Sequence, residues 1–319
     1  MEPTMTTDRT NSTDRTNPAP IACLGSAHGE DFTLYNGDCV EVLRQLPAHS
    51  VDLALFSPPF ANVYTYSDSA RDLGNVDSED HFIEGYRFVA RELYRLTRPG
   101  RICAVHCKQI IRYKGSHGRA GWHDFRGDLI RVHEEEGWQY ACEYVLWTDP
   151  VIEQRKTNNM RLLYKQIRTD STFSGAGMPE YVLIFRKWAA EGEEDFVKPV
   201  PHTSETFPLE QWQKWASPVW MDVQHTNTLN VAAAREDADE KHMCPLSLDV
   251  IHRLCVLYSN PGEVCLSPFA GVGSEGVGCL RNDRRFVGIE LKESYFNRAA
   301  ENLRAQEGTK RQPSLFTPR

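Results

Sequence analysis

Ser57-Pro58-Pro59-Phe60 is the stretch of this chain whose residue types, taken together, could do chemistry. It offers a hydroxyl, a carbonyl fixed by consecutive prolines, and an aromatic face, all within one rigid turn. Such a turn could grip a planar base that carries an exocyclic amine. Two other stretches carry comparable content. Asn36-Gly37-Asp38 places a carboxylate after a glycine that permits positive φ. Ser267-Pro268-Phe269-Ala270-Gly271-Val272-Gly273 lets backbone pass close to a ligand, and the helix expected from Ser274 to Arg281 adds amide donors. Glu290 follows at the end of the next apolar run, where a carboxylate can accept both hydroxyls of a ribose.

The elements around these stretches predict an α/β fold. Val51 to Phe56 is short, nearly all apolar and stopped by prolines, so it reads as a buried parallel strand. The tetrapeptide then sits at a strand's carboxyl end, where open α/β sheets bind ligands. Strands are also expected at Phe32 to Tyr35, Arg101 to Cys107, Glu263 to Ser267 and Arg285 to Ile289. Helices are expected at Cys39 to Leu46, Phe82 to Leu96 and before Tyr258. Trp138 to Trp147 and Tyr181 to Phe185 could form an antiparallel edge. The alternation predicts a doubly wound, mostly parallel sheet.

The three motifs, in this order, resemble the DNA amino-methyltransferases that use S-adenosylmethionine. The tetrapeptide precedes the glycine turn, as in the circularly permuted β group, and the resemblance spans most of residues 32 to 305. It implies a Rossmann-like sheet and cytosine N4 as the target, with adenine N6 as the alternative. Ser57, Pro58, Pro59 and Phe60 would be catalytic: Ser57 and the Pro58 carbonyl would accept the amine, and Phe60 would stack on a flipped base. Asp38 would lie by the cofactor's adenine, although an aspartate there also suits a helix cap. Ser267, Phe269, Gly271, Gly273 and Glu290 would line the cofactor site, and His242 and Pro245 would close over its methionine end. Ser267 stands where the family usually has aspartate, so the charge there is missing. A DNA-binding protein with a decayed methyltransferase fold would also account for that departure. The resemblance extends to enzymes of restriction-modification systems.

Gly271-x-Gly273-x-x-Gly276 with Glu290 also matches a dinucleotide fingerprint. An NAD-dependent oxidoreductase is disfavoured because only one helix and a tail follow Glu290, too little to complete such a sheet.

The net charge of -8 supplies no overall attraction to nucleic acid, so contact with double-stranded DNA must come from local positive surfaces. Two segments qualify. Lys108, Arg112, Lys114 and Arg119 surround Tyr113 and Trp122, and Arg155, Lys156 and Arg161 form the second group. A solvated charged face would look the same. The nine cysteines form no Cys-x-x-Cys pair, and His106, His117 and His123 near Cys103 and Cys107 match no zinc spacing, so no metal is expected. The absence of a signal sequence or long apolar span predicts a cytoplasmic protein with no membrane partner.

Residues 1–20, which repeat Thr-Asp-Arg-Thr-Asn, read as a disordered tail. The catalytic half is expected over 21–190 and the cofactor half over 241–305. Between them, 191–240 reads as an inserted segment, which the resemblance implies is the target-recognition region, although its Trp212, Trp215 and Trp220 could equally build a small core. In the tail, 306–319, Gln312, Leu315 and Phe316 resemble peptides that dock on the bacterial sliding clamp, unless the pair folds back on the domain.

Overall fold

The computed structural model describes residues 21–59, 79–157, 159–170, 172, 174–199, 201–230 and 245–311. Its main sheet has nine strands: β1 (Gly25–His28), β2 (Phe32–Asn36), β3 (Val51–Phe56), β4 (Thr97–Lys108), β7 (Gln139–Leu146), β8 (Glu180–Arg186), β9 (Val219–Trp220), β10 (Val264–Ser267) and β11 (Arg285–Glu290). Their spatial order is β1-β2-β11-β10-β3-β4-β8-β7-β9. The five strands from β2 to β4 are parallel, β8 runs antiparallel between β4 and β7, and β1 closes the other edge antiparallel. A separate small ribbon pairs β5 (Ile110–Arg112) with β6 (Gly121–His123). The short helices α3 (Lys114–His117), α6 (Gln166–Thr169) and α7 (Leu209–Trp215) lie in connecting segments.

Both faces of the sheet are covered. Every residue of β3 is buried, yet its side chains alternate: Val51, Ala54 and Phe56 join one core, while Leu53 and Leu55 join the other. The first core is completed by α1 (Cys39–Gln45), α2 (Glu79–Leu96) and α4 (Phe125–Glu135), which contribute Leu43, Phe82, Leu93 and Val132. The second takes Ile251 and Leu254 from α8 (Leu248–Tyr258), Leu280 from α9 (Ser274–Arg281) and Leu303 from α10 (Glu293–Arg311).

The last two strands, β10 and β11, lie between β2 and β3, so the glycine-turn unit is completed by strands from earlier in the chain. That arrangement is the circular permutation the motif order implies, and the strand that borders the glycine-turn unit on one side is β3, which leads into Ser57-Pro58-Pro59.

Two features add to the sequence expectation, and burial divides the three tryptophans. Within the described part of 191–230 the chain returns to the sheet: β9 pairs parallel with β7, and Trp220 stacks on Tyr144 with ring centroids 4.3 Å apart. Trp215 and Trp220 are buried and Trp212 is half exposed, so two of the three tryptophans build core. Helix α10 runs on to Arg311, past the expected boundary at 305, because Glu307 accepts from the Asp31 amide at 2.7 Å and Gln306 from Arg281 at 3.0 Å. The expectations for residues 1–20, Phe60, His242 and the Gln312, Leu315, Phe316 peptide fall outside the described residues. No described helix is long and apolar enough to cross a membrane.

Candidate active site

The carboxyl edge of the parallel strands gathers the three motifs. Pairing of Asn36 with Glu290 brings the Asn36-Gly37-Asp38 turn against the end of β11. Asn36 Nδ2 donates to the Glu290 and Leu291 carbonyls, at 2.9 and 3.0 Å, and the Gly37 amide donates to the Glu290 carbonyl at 3.0 Å. Asp38 caps α1, its Oδ1 accepting from the amides of Val40 and Glu41 at 2.8 and 3.1 Å. The helix-cap alternative is therefore realised, and Asp38 is fixed at the site's margin.

Gly271 and Gly273 both hold left-handed backbone, with φ of 53° and 86°. Among the described residues a Cβ on Gly271 would meet nothing within 4 Å, so the space above it suits a ligand, whereas one on Gly273 would press on Ala299 at 3.2 Å. Gly276 faces inward, where a Cβ would lie 2.6 Å from Leu303 and Phe286. Phe269 packs on Phe56 of β3, centroids 5.8 Å apart, which joins the glycine-turn half to the strand that carries Ser57. Pro245 is partly buried just ahead of α8.

Two serines at this edge test whether a polar ligand fits. Ser267 is completely buried and Ser274 nearly so, and neither hydroxyl has a partner among the described residues. Buried hydroxyls are normally bonded, so the pair fits a polar group brought by a ligand. Glu275, also buried, has its carboxyl pushed up to about 8, mainly by desolvation and further by the nearby Glu290 charge.

At the adjoining strand ends, Ser57 Oγ and His106 Nδ1 lie 2.7 Å apart, and His106 Nε2 lies 3.1 Å from Glu180 Oε2. His225 Nδ1 approaches the same carboxylate oxygen at 3.5 Å, while its Nε2 bonds the Trp147 carbonyl at 2.8 Å. Burial pushes the Glu180 carboxyl up, but the hydrogen bonds from His106 and His225, with the charge of Lys108, outweigh it and hold the group well below the usual carboxylate range. His225 is raised, chiefly by its bond to Glu180. Glu180 goes unnoticed in the sequence and His106 enters only as a rejected zinc ligand; the signal was a lone histidine inside the apolar run Ile102 to Cys107, ending at the same edge.

The two basic segments meet. Tyr113 Oη donates to the Thr157 carbonyl at 2.7 Å, which ties the loop of the small ribbon to α5 (Pro150–Thr157). Lys114, Arg119, Arg155 and Lys156 are exposed. Lys108 corrects the expectation: it points inward, 2.6 Å from the buried Glu153, and is not a phosphate-facing cation. Arg112 is partly buried and donates to His123 Nδ1 at 3.0 Å. Arg161 lines a cleft of about 300 Å³ together with Trp122, Asn159, Gly175 and Ala176. Elsewhere, packing of α8, β10 and α9 brings the buried Cys255, Cys265 and Cys279 within 4.8 Å of one another, a proximity their sequence spacing did not reveal.

The interleaved sheet, the Ser57-Pro58-Pro59 edge and the glycine turn together define an S-adenosylmethionine-dependent methyltransferase. Residues 51–301 match the N6/N4 DNA methylase family, and the chain belongs to it. It is 23% identical over 278 residues to DNA adenine methyltransferase YhdJ of Escherichia coli K12, which covers 86% of this chain and 83% of that protein. Type II methyltransferase M.Cfr9I of Citrobacter freundii is 24% identical over 310 residues, covering 86% and 88%. Among solved structures, TTHA0409 of Thermus thermophilus, complexed with S-adenosyl-L-methionine, superposes with a TM-score of 0.60 at 23% identity, covering 86% of this chain and 95% of that one. The cytosine-N4-specific PvuII DNA methyltransferase does so with a TM-score of 0.59 at 14% identity, covering 90% and 88%.

Proposed function

We propose that this DNA methyltransferase modifies N4 of a cytosine, with Ser57 and the Pro58 carbonyl receiving the exocyclic amine. The observation that carries the reading is the state of Ser57: its hydroxyl is engaged by His106 at the edge where the motifs meet. An exocyclic amine is conjugated with its ring and is a poor nucleophile. Two acceptors on its N–H bonds draw the nitrogen toward a tetrahedral shape and free its lone pair. Serine rather than aspartate at the first position of the tetrapeptide favours cytosine. Similarity to an adenine methyltransferase supports the second reading, adenine N6.

S-adenosylmethionine, when bound, supplies the electrophilic methyl group. The residues that would hold it are Asp38, Pro245, Ser267, Phe269, Gly271, Gly273, Ser274 and Glu290, with the unpartnered serine hydroxyls replacing the contacts that an aspartate at 267 would make. Because the amine is paired inside a duplex, the base must leave the stack to reach Ser57. The exposed cations of 114–119 and 155–156 would hold the flanking phosphates, and the segment 191–230, with its exposed Trp212, would read sequence. Sequencing of modified bases in DNA from expressing cells tests the reading: N4-methylcytosine is expected, N6-methyladenine alone would move the assignment to the second reading, and unmodified DNA would end both.

A further inference from the structure

We propose that His106 and Glu180 form a proton relay behind Ser57, in which Ser57 Oγ takes the proton that the target amine must shed while its own hydrogen passes to His106 Nδ1. The proposal rests on the amine-methylation reading given above.

Three neighbouring strands supply the three groups. Ser57 follows Phe56, whose partner on β4 is Val105, so His106 occupies the next register position beside it. On β8, His106 pairs with Val182, and Glu180 stands two residues away on the same face, the diagonal position that long side chains can reach. The contacts of 2.7 and 3.1 Å therefore follow from strand register and not from loop placement.

The relay requires a neutral His106, and that requirement sets the direction of the bonds. An ionised Glu180 can only accept, so His106 must donate through Nε2–H. In the neutral imidazole Nδ1 then carries a lone pair, and Ser57 must donate to it. That leaves the oxygen lone pairs of Ser57 for the amine. N-methylation leaves the amine nitrogen with one proton too many. One N–H bond breaks, its electron pair stays on nitrogen, and the proton moves to Ser57 Oγ. The former Ser57 hydrogen moves to His106 Nδ1, and the resulting imidazolium is opposed by the Glu180 carboxylate. The proton returns to water after product leaves. A hydroxyl alone is too weak a base to keep that proton, whereas a histidine oriented by a carboxylate can take it. Among the described residues, His225 and the Lys108–Glu153 pair add to the charged surroundings, with Lys156 near His225.

The test has two independent parts. Nitrogen-15 NMR of histidine-labelled, ligand-free protein is expected to show His106 protonated on Nε2 and bare on Nδ1, with the assignment disturbed by Glu180→Gln. In single-turnover assays on whichever base the wild type methylates, His106→Gln should slow transfer by roughly 10²- to 10³-fold, while affinities for S-adenosylmethionine and DNA stay within about twofold. Added imidazole should restore part of the rate of His106→Gly. A proton on Nδ1 in the wild type, an unchanged rate in His106→Gln, or equal losses of affinity and rate without imidazole rescue would each overturn the relay. Failure of the wild type to methylate any DNA amine would instead remove the functional reading, and the NMR result would stand apart from it.

Discussion

Glu290 Oε2 accepts the backbone N–H of Gly271 at 2.8 Å, and its Oε1 accepts that of Lys292 at 2.9 Å. One carboxylate thus holds the glycine turn against the end of β11 before any ligand arrives. Its side chain both shapes the turn and borders the open space above Gly271.

Glu290→Ala is therefore expected to weaken S-adenosylmethionine binding by roughly 1 to 3 kcal/mol, the range for losing charge-assisted hydrogen bonds. Isothermal calorimetry measures this directly, and an affinity equal to wild type would take Glu290 out of the cofactor site.

Ser57→Ala should show the reverse pattern. Removing the hydroxyl deprives the amine of an acceptor, so transfer should slow by on the order of 10²-fold or more with cofactor affinity nearly unchanged. A parallel fall in both quantities would contradict the assignment of Ser57 to the amine.

Glu275 gives a pH signature. Its carboxyl is raised from 4.5 to about 8 in the fold, mainly by burial, so the folded state binds this proton more tightly than the unfolded chain. The associated stability is fully present below pH 4.5 and is lost as pH rises through about 8. Glu275→Gln, which cannot ionise, should melt higher than wild type at pH 8, with the gap closing toward pH 5. Melting curves with a pH-independent gap would refute this.

Arg119→Ala and Lys156→Ala should each weaken binding to all duplex sequences alike and reduce the salt slope by about 1. Fluorescence anisotropy across salt concentrations reads both effects; a change in the methylated motif with the slope intact would mean that these side chains contact bases.

The tryptophans of 191–230 divide by burial. Trp220→Ala should cost about 3 to 5 kcal/mol of stability, as for a fully buried aromatic, whereas Trp212→Ala should leave denaturant midpoints nearly unchanged. If Trp212→Ala also leaves the methylated motif and DNA affinity untouched, the exposed ring has no part in recognition.

Much of this architecture could be read along the chain because its signals are local. Val51 to Phe56 declares a buried strand by composition, and the prolines at 58 and 59 declare its end. The glycine turn is legible because positive φ at Gly271 and Gly273 demands residues without a Cβ. What escaped notice depends on pairing across distance. His106 lies 49 residues from Ser57 and 74 from Glu180, and only the order of β3, β4 and β8 makes them neighbours. Lys108 looked like a DNA contact because its sequence neighbours are basic, and its buried partner Glu153 is far along the chain. The strands β1 and β9 are too short to show a period.

The placement of β10 and β11 at the centre of the sheet has a consequence for biosynthesis. The amino-terminal strands β2 and β3 leave the ribosome with facing edges that only β10 and β11 can occupy, and on the order of 10 seconds or more of elongation separates them. Until then the Ser57 edge has no cofactor floor beside it, and two unpaired strand edges are open to wrong partners. Nascent chains of this enzyme must therefore remain both inactive and vulnerable to aggregation until nearly all of the polypeptide has been made, and the enzyme's yield in the cell should depend on chaperone supply more steeply than that of a similar sheet built in order.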